Sequence, residues 1–393
     1  MARLILLLSV LILSGCSALA PRVAAPVGLL HDELFAPPAM PISAADVMAL
    51  SPEMRRYLDE EVRPLGRSKG LQQALVDLLY TKGKLRLDYD AVMTRNAREA
   101  FAARAGNCLS LVIMTTALAN ELGLEVRLQT VPIEDSWDRA GDLYFFIGHV
   151  NMMLGPRPLA NWNLASGQWL MIDFLPNSRR TRTIGITQQR VLAMYMNNKA
   201  AESLALQQLD AAYAWAREAI RQDEHFMSSY NTLGVIYQRR GALAEAEVAL
   251  RHVLAVERDN VHAMGNLVLV LQRQGRNAES QVLAAELRRL QPVAPFAYFK
   301  DGMKALDARD YHLARRLFER ELARASDYHE FHFWLAVALV NLGEVDSARK
   351  HLEQALENST TREQTAVYSG KLQRLQKARA VEAQRDRAAP LIQ

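Results

Sequence analysis

The sequence has 393 residues, of which half are hydrophobic, and its formal net charge is only +4. A charge this small and this dispersed argues against a nucleic-acid-binding protein. The nine histidines lack the spacing of a zinc site, and the sequence contains no glycine-rich phosphate loop. We therefore expect neither a metal ion nor another cofactor.

The N-terminus predicts export to the cell envelope. The apolar stretch Leu4–Leu13 is shorter than the about 20 residues that span a bilayer and has the length of a signal-peptide core. It ends in Leu13-Ser14-Gly15-Cys16, which resembles the lipobox of bacterial lipoproteins. The resemblance implies that residues 1–16 are a lipoprotein signal region and that Cys16 is acylated as the first residue of the mature chain. Ser17, not aspartate, follows the cysteine, and by resemblance to sorted lipoproteins this implies the outer membrane, with the chain facing the periplasm. An ordinary secretory signal with a chance cysteine is the alternative.

Residues 17–42 are rich in alanine and proline. This composition predicts a tether rather than a packed core. No later stretch is long and apolar enough to span a membrane, so the acyl anchor is the membrane attachment that we expect. The remaining length suits two domains, or one domain followed by an array.

Residues 43–192 are predicted to form an α+β domain in which a helix packs on an antiparallel sheet. Apolar residues recur at helical spacing in Leu71–Tyr80 and again from Cys108 to Leu122, where Gly123 ends the helix. Three strands are expected over the stretches Val126–Val131, Leu143–Leu154 and Gln168–Phe174.

Three side chains of this domain are candidates for chemistry. Once Cys16 is acylated, Cys108 is the remaining thiol, and it stands where a helix N-terminus favours the thiolate. His149 lies within the second predicted strand and Asp173 within the third. Each also has a plainer interpretation, as a packed cysteine, a core histidine and a cap at a strand end.

The order of these residues resembles the transglutaminase-like superfamily, which shares the papain-type cysteine-protease fold. The resemblance implies a catalytic triad in which Cys108 is the nucleophile, His149 transfers the proton and Asp173 orients the imidazole. Val150 stands where alanine is commoner in the superfamily, which leaves the substrate less defined, and the superfamily also contains inactive members. The motifs that carry the resemblance, between residues 85 and 178, are Gly106-Asn107-Cys108, Gly148-His149-Val150 and Trp169-Leu170-Met171-Ile172-Asp173.

The C-terminal half is predicted to be an all-α repeat array. Small residues and turn glycines each recur every 34 positions, a period that matches the tetratricopeptide repeat, in which every unit is a helical hairpin. We expect five repeats over 193–360, then a capping helix and a basic tail over 361–393. Such arrays bind a protein or peptide partner, although a purely structural array would have the same period. The two series are Ala212, Ala246, Ser280, Ala314, Ala348 and Gly241, Gly275, Arg309, Gly343.

Two functions are consistent with these features. The first, which we favour, is a membrane-anchored envelope thiol hydrolase or acyl transferase that acts on peptide amide bonds, with the repeats recruiting a protein partner or substrate. If water is the second substrate, the enzyme is a cysteine protease or amidase. If an amine is the second substrate, the reaction is transamidation. The second is a non-catalytic adaptor lipoprotein whose transglutaminase-like domain only binds peptide.

Overall fold

The computed structural model describes residues 26, 28–38, 40–80, 87–90, 93–131, 137–140, 143–146, 149–157, 168–174 and 182–388. The predicted signal region and its Cys16 lie outside these residues. Within them, no helix combines the length and the apolar character needed to cross a membrane. The chain forms a small region with an antiparallel sheet, followed by a long array of helices.

The helices of the first region are α1 (Ala44–Val47), α2 (Pro52–Tyr57), α3 (Arg63–Lys69), α4 (Leu71–Tyr80), α5 (Ala97–Ala103) and α6 (Cys108–Glu121). A π-helical turn, Leu58–Val62, joins α2 to α3. The bounds of α4 are those predicted, and α6 begins at the predicted residue, where Asn107 caps it.

The strands are β1 (Asp88–Tyr89), β2 (Ala105–Gly106), β3 (Val126–Val131), β4 (Trp137–Ala140), β5 (Leu143–Phe146), β6 (His149–Leu154), β7 (Leu170–Ile172) and β8 (Ile184–Ile186). The main sheet is antiparallel and has the order β7-β6-β3-β8. Separately, β1 pairs with β2 and β4 pairs with β5. The bounds of β3 are those predicted.

The predicted strand Leu143–Leu154 is two strands in the structure. β5 pairs with β4, whereas β6 begins at His149 and pairs with β3 and β7. The prediction of one strand was wrong because an unbroken apolar run carries no mark of the point where its pairing partner changes. The third strand is also shorter than predicted, so that Asp173 follows the end of β7 instead of lying within it.

The buried centre of this region is α6. Every side chain from Cys108 to Ala119 is buried, because the helix is apolar on all sides and packs against α5, β3 and β6. Val150, Met152 and Leu154 alternate along β6 and belong to the same hydrophobic cluster. This packing fixes the position of Cys108 relative to the sheet.

From Gln188 onward, successive helices in the described range pair into five hairpins. Each hairpin packs its two helices together, and α17 (Arg362–Ala388) packs on the last one. The pairs are α7 (Gln188–Ala205) with α8 (Leu209–Gln222), α9 (Met227–Arg240) with α10 (Leu243–Val256), α11 (Val261–Arg273) with α12 (Asn277–Leu290), α13 (Ala297–Asp307) with α14 (Tyr311–Leu322), and α15 (His329–Asn341) with α16 (Val345–Glu357).

The turn series of the array has one common backbone conformation. Gly241, Gly275 and Gly343 have φ values of 91°, 77° and 78°. Arg309 adopts the same left-handed conformation, with φ 60°, although it is not glycine. Gln207, which lies one period before Gly241, does so as well, with φ 59°. The hairpin geometry therefore imposes this turn even where the sequence does not supply glycine.

The small-residue series is buried throughout the array. All five of its members are at most 2% exposed, so they lie where helices approach most closely. They are Ala212, Ala246, Ser280, Ala314 and Ala348.

The array is divided between two hydrophobic clusters. One cluster spans the first three hairpins, and the other extends from Phe296 to Leu352. Between them, Ser280 is the one buried residue on α12, all of which is described. Pro292 follows that helix, where a proline prevents continuation. The units on either side of this point therefore have separate cores.

Part of the predicted tether is packed on the array. Residues 29–36 lie against the first two hairpins, with Leu29 and Phe35 buried in their hydrophobic cluster. The only regular structure in this stretch is a 3-10 turn, Asp32–Leu34. Composition predicted a free tether because the apolar side chains of this segment have their partners more than a hundred residues away, as the hydrogen bond between Leu29 and Tyr237 illustrates.

Candidate active site

Cys108 is the first residue of α6 and is 5% exposed. The preceding Asn107 caps the helix: its Oδ1 accepts hydrogen bonds from the backbone N–H of Ser110 at 2.9 Å and from the Ser110 hydroxyl at 2.8 Å. The cap fixes the first turn, and the helix dipole puts partial positive charge beside the sulfur. The prediction that Cys108 begins a helix is confirmed.

Buried Thr94 holds this cap in position. Its hydroxyl accepts hydrogen bonds from Nδ2 of Asn107 at 3.0 Å and from Nδ2 of Asn198 at 3.2 Å. Its backbone N–H donates to Glu202 at 2.7 Å. Since Asn198 and Glu202 lie on α7, the beginning of α6 is tied to the first helix of the array.

His149 and Asp173 are joined by a hydrogen bond of 2.8 Å between Nε2 and Oδ1. Met152 faces Ile172 across the antiparallel pair β6–β7, which puts Asn151 opposite Asp173. Alternate residues of a strand share one face, so His149 and Asn151 both reach the carboxylate. Asn151 donates from Nδ2 to the second carboxylate oxygen at 3.3 Å. The aspartate therefore orients the imidazole and is itself oriented by the amide.

The charge of His149 follows from its surroundings. Burial acts to lower the pKa of the imidazole, but the hydrogen bond with Asp173 and the thiol of Cys108 outweigh it and raise the pKa of His149 to about 9. The imidazolium is therefore favoured at neutral pH.

The second ring nitrogen of His149, Nδ1, is not engaged by a regular hydrogen bond within the described residues. Nδ1 is buried and without a partner of regular geometry in the described part of the chain, although the thiol of Cys108 acts on the ring as a hydrogen-bonding neighbour. Hydrogen bonds between catalytic groups commonly tighten only when substrate binds. Because Nε2 is committed to Asp173, Nδ1 is the nitrogen that remains for the sulfur.

Tyr80 supports the strand end that carries Asp173. Its hydroxyl donates to the backbone carbonyl of Asp173 at 3.2 Å, and its ring stacks on Phe174 with 6.1 Å between centroids. Although Tyr80 is 52% exposed, the desolvation of its hydroxyl and the negative charge of Asp173 raise the pKa of Tyr80 to about 12. The phenol therefore stays protonated at neutral pH and remains a donor.

Three residues of the site, Asn151, Tyr80 and Thr94, were not predicted from the sequence. Asn151 was within reach of sequence reasoning, because it stands two positions after His149 on the same strand face. Tyr80 and Thr94 carry no local signal, since tertiary packing alone brings them to the site. Among the described residues, no group of three or more histidine, cysteine or acidic side chains could hold a metal ion.

Comparisons with known proteins identify the repeats. Two family models of the tetratricopeptide repeat match residues 226–258 and 299–363. A search of curated proteins gave no match. Among solved structures, PilF of Pseudomonas aeruginosa is 18% identical over 50% of this chain and 90% of its own, with a TM-score of 0.28.

Two further solved structures are similar in the same way. The type IV pilus biogenesis factor PilW is 19% identical over 44% of this chain and 79% of its own, with a TM-score of 0.26. A thermophilic TPR protein of Thermus thermophilus is 18% identical over 46% and 98%, with a TM-score of 0.27. TM-scores this low support no argument about function. The family matches are what identify the helical array of this chain as a solenoid of tetratricopeptide repeats, a type of repeat that mediates contacts between proteins.

Proposed function

We propose that this chain is a thiol hydrolase or acyl transferase of the transglutaminase-like type, which acts on peptide amide bonds in the bacterial cell envelope. The observation that carries the proposal is the hydrogen bond between His149 Nε2 and Asp173 Oδ1, which leaves Nδ1 for the thiol of Cys108 at the beginning of α6. A nucleophile, a base and a group that orients the base are the parts of a catalytic triad.

In the proposed reaction, the thiolate of Cys108 attacks the carbonyl carbon of the amide, and the π electron pair moves to oxygen. The backbone N–H of Cys108, at the positive end of its helix, helps to stabilise this oxyanion. The C–N bond then breaks, and the imidazolium of His149 gives its Nδ1 proton to the departing amine. A thioester on Cys108 remains.

The second half of the reaction releases the acyl group. Neutral His149 takes a proton from water as the water oxygen attacks the thioester, the C–S bond breaks, and a carboxylic acid leaves. An amine in place of water forms a new amide instead. Asp173 stays ionised and keeps the imidazole oriented in both halves.

The array and the anchor are proposed to determine where this chemistry occurs. The repeats recruit a protein partner or substrate, and the network through Thr94 and Glu202 connects their first helix to the site. The resemblance of Leu13-Ser14-Gly15-Cys16 to a lipobox supports acylation of Cys16 and attachment to the outer membrane, with the site facing the periplasm.

One observation favours the second function, peptide binding without catalysis. Cys108 is 5% exposed and His149 is 2% exposed. A substrate therefore reaches the sulfur only after neighbouring chain has moved, whereas a binding domain needs no such movement.

Alkylation of the thiol distinguishes the two functions. The full chain and its Cys108→Ala and His149→Ala variants are treated with iodoacetamide across the range from about pH 6 to pH 9, where a free cysteine titrates at about 8.5. An activated Cys108 is labelled well below that value, and the label is lost in Cys108→Ala and slowed in His149→Ala. In parallel, the envelope proteins of cells with wild type and Cys108→Ala are compared for a lost cleavage or cross-link. An inert thiol together with identical envelope proteins would leave only the binding function.

A further inference from the structure

The first two hairpins of the array hold a short segment of the chain itself. Residues 29–36 cross α8 and α9 on the surface of the solenoid. The segment has no regular structure apart from one 3-10 turn, so its conformation depends on the helices beneath it. We call the side chains that hold it the docking face: Asp210, Tyr213, Arg217, Tyr237 and Arg240.

Two members of the docking face bind the backbone of the segment. The hydroxyl of Tyr237 donates to the carbonyl of Leu29 at 2.9 Å and accepts from the N–H of His31 at 3.0 Å. Near the other end, Oδ1 of Asp210 accepts from the N–H of Ala36 at 3.1 Å. These contacts fix the backbone of the segment on either side of its 3-10 turn without regard to its side chains, as in other modes of peptide recognition.

Between these backbone contacts, an acidic side chain is recognised by charge. Oδ1 of Asp32 accepts a hydrogen bond from the Tyr213 hydroxyl at 2.8 Å and pairs with Arg217 at 2.9 Å. The hydrogen bond from Tyr213, together with the charge of Arg217, holds the pKa of Asp32 below its usual value. The carboxylate is therefore ionised at neutral pH. The Asp32 side chain is also 57% exposed, so it binds at the surface of the array.

Three positions further on, an aromatic side chain is held between a ring and a cation. The ring of Phe35 stacks on Tyr213, with 4.1 Å between centroids and an angle of 3° between planes. The guanidinium of Arg240 lies 5.1 Å from its centroid, and Phe35 is 8% exposed. Stacking and a cation–π contact select for an aromatic residue here.

We propose that the docking face is a peptide-binding site of the array, that residues 29–36 are its resident ligand, and that it also accepts a partner peptide with an acidic residue three positions before an aromatic one. The contacts recognise a peptide backbone, a carboxylate and a ring, and none of them requires that the peptide belong to the same chain. The resident segment has a high effective concentration, so a partner peptide competes with it. This inference does not depend on the chemistry of Cys108.

The first test offers the segment in trans. A fluorescent peptide of residues 28–38 is titrated against full-length wild type and a full-length Asp32→Ala, Phe35→Ala variant, whose own segment no longer fits. The peptide should bind the variant at least about tenfold more tightly than wild type, because the resident segment no longer competes. A peptide carrying the same two substitutions is the control and should bind neither protein. Equal binding to both proteins, or binding to neither, overturns the proposal.

The second test keeps the native segment and is decisive if the double variant does not fold. A specific protease site is inserted after Ala39 in the full chain, and the folded protein is cut there. The released segment should stay bound and should be exchanged by the labelled peptide, and Arg217→Ala should weaken this exchange. A segment that cannot be exchanged after cutting is a fixed part of the fold, and the proposal is then wrong.

Discussion

Glu202, on the first helix of the array, accepts a hydrogen bond of 2.7 Å from the backbone N–H of Thr94. Thr94 in turn accepts from Asn107, the N-cap of the helix that begins with Cys108. Lys199 pairs with the other carboxylate oxygen of Glu202 at 2.7 Å. One polar network thus joins the repeat array to the candidate nucleophile. A substitution on the array side of this network should therefore change the rate at which the sulfur is alkylated.

We expect Glu202→Ala to destabilise the protein and to slow alkylation of Cys108. The substitution leaves the N–H of Thr94, a residue that is 3% exposed, without its acceptor, and a buried donor of this kind costs about 1–3 kcal/mol. Denaturant unfolding measures the first effect and iodoacetamide labelling the second. The control is Lys199→Ala, which removes only the charge pair and should cost at most about 1 kcal/mol. Equal effects of the two substitutions would contradict the role assigned to Glu202.

We expect Asp173→Asn to reduce the dependence of stability on alkaline pH. The folded-state pKa of His149 is raised from 6.5 to about 9. Burial lowers this pKa, but the interactions with Asp173 and Cys108 raise it by more. A raised pKa means that the stabilising contribution is fully present below pH 6.5 and is lost as the pH rises through about 9. The melting temperature of wild type should therefore fall more steeply across this range than that of Asp173→Asn, since all other titrating groups are common to both proteins. Parallel curves would show that the pair does not stabilise the fold.

We expect the triad substitutions to differ in severity. Cys108→Ala removes the nucleophile and should abolish activity, and His149→Ala should lower it by about 10²–10⁴-fold because a positioned base is lost. Asp173→Asn disturbs the orientation of the His149 imidazole but leaves the nucleophile in place, so it should lower activity less than loss of the thiol does. The matched control is Asn151→Ala, which removes only the 3.3 Å contact to the second carboxylate oxygen. Single-turnover rates establish the order, and an effect of Asn151→Ala larger than that of Asp173→Asn would contradict the assignment.

Sequence patterns predicted the elements whose ends carry local signals. α6 begins at Cys108 because Asn107 supplies a cap, and it ends before Gly123, whose φ is 69°. The period of 34 predicted the buried alanines of the array, because every repeat needs a small residue where its helices pack closely.

Other features depend on contacts between distant parts of the chain. Nothing near Phe35 in the sequence indicates that Tyr213 will stack on it, and nothing near Tyr80 indicates a hydrogen bond to the carbonyl of Asp173. The division of Leu143–Leu154 into two strands likewise follows from pairing partners rather than from the run itself. Within the candidate site, Cys108, His149 and Asp173 were singled out from the sequence, whereas the neighbouring groups Asn151, Tyr80 and Thr94 were not.

We expect Ala246→Phe to destabilise the array. Ala246 is completely buried where helices of the array meet, and a phenyl group there would overpack the contact at a cost of about 1–3 kcal/mol. Ala244 lies on the same helix and is exposed, so Ala244→Phe is the control and should change stability little. Thermal unfolding followed by helical circular dichroism compares the two variants. Similar melting temperatures would contradict the register of the repeats.

Two glycine-to-alanine substitutions should have opposite effects on the stability of the array. Gly241 ends α9 with φ 91°, and a Cβ there would meet no atom within 4 Å. Gly241→Ala should therefore cost about 1–2 kcal/mol through left-handed backbone strain alone. Gly370 lies inside α17, and a Cβ there also enters open space. Gly370→Ala should stabilise the protein by about 0.5–1 kcal/mol, because alanine loses less backbone entropy in a helix.

Arg309 provides the converse of the first substitution. It adopts φ 60° at the position equivalent to Gly241, so Arg309→Gly should relieve strain and raise the free energy of unfolding. Chemical denaturation of the three variants measures the signs directly. Because a Cβ meets no atom at either glycine, only backbone conformation distinguishes the two positions. If Gly241→Ala did not destabilise the protein, the left-handed turn would not be what closes each repeat.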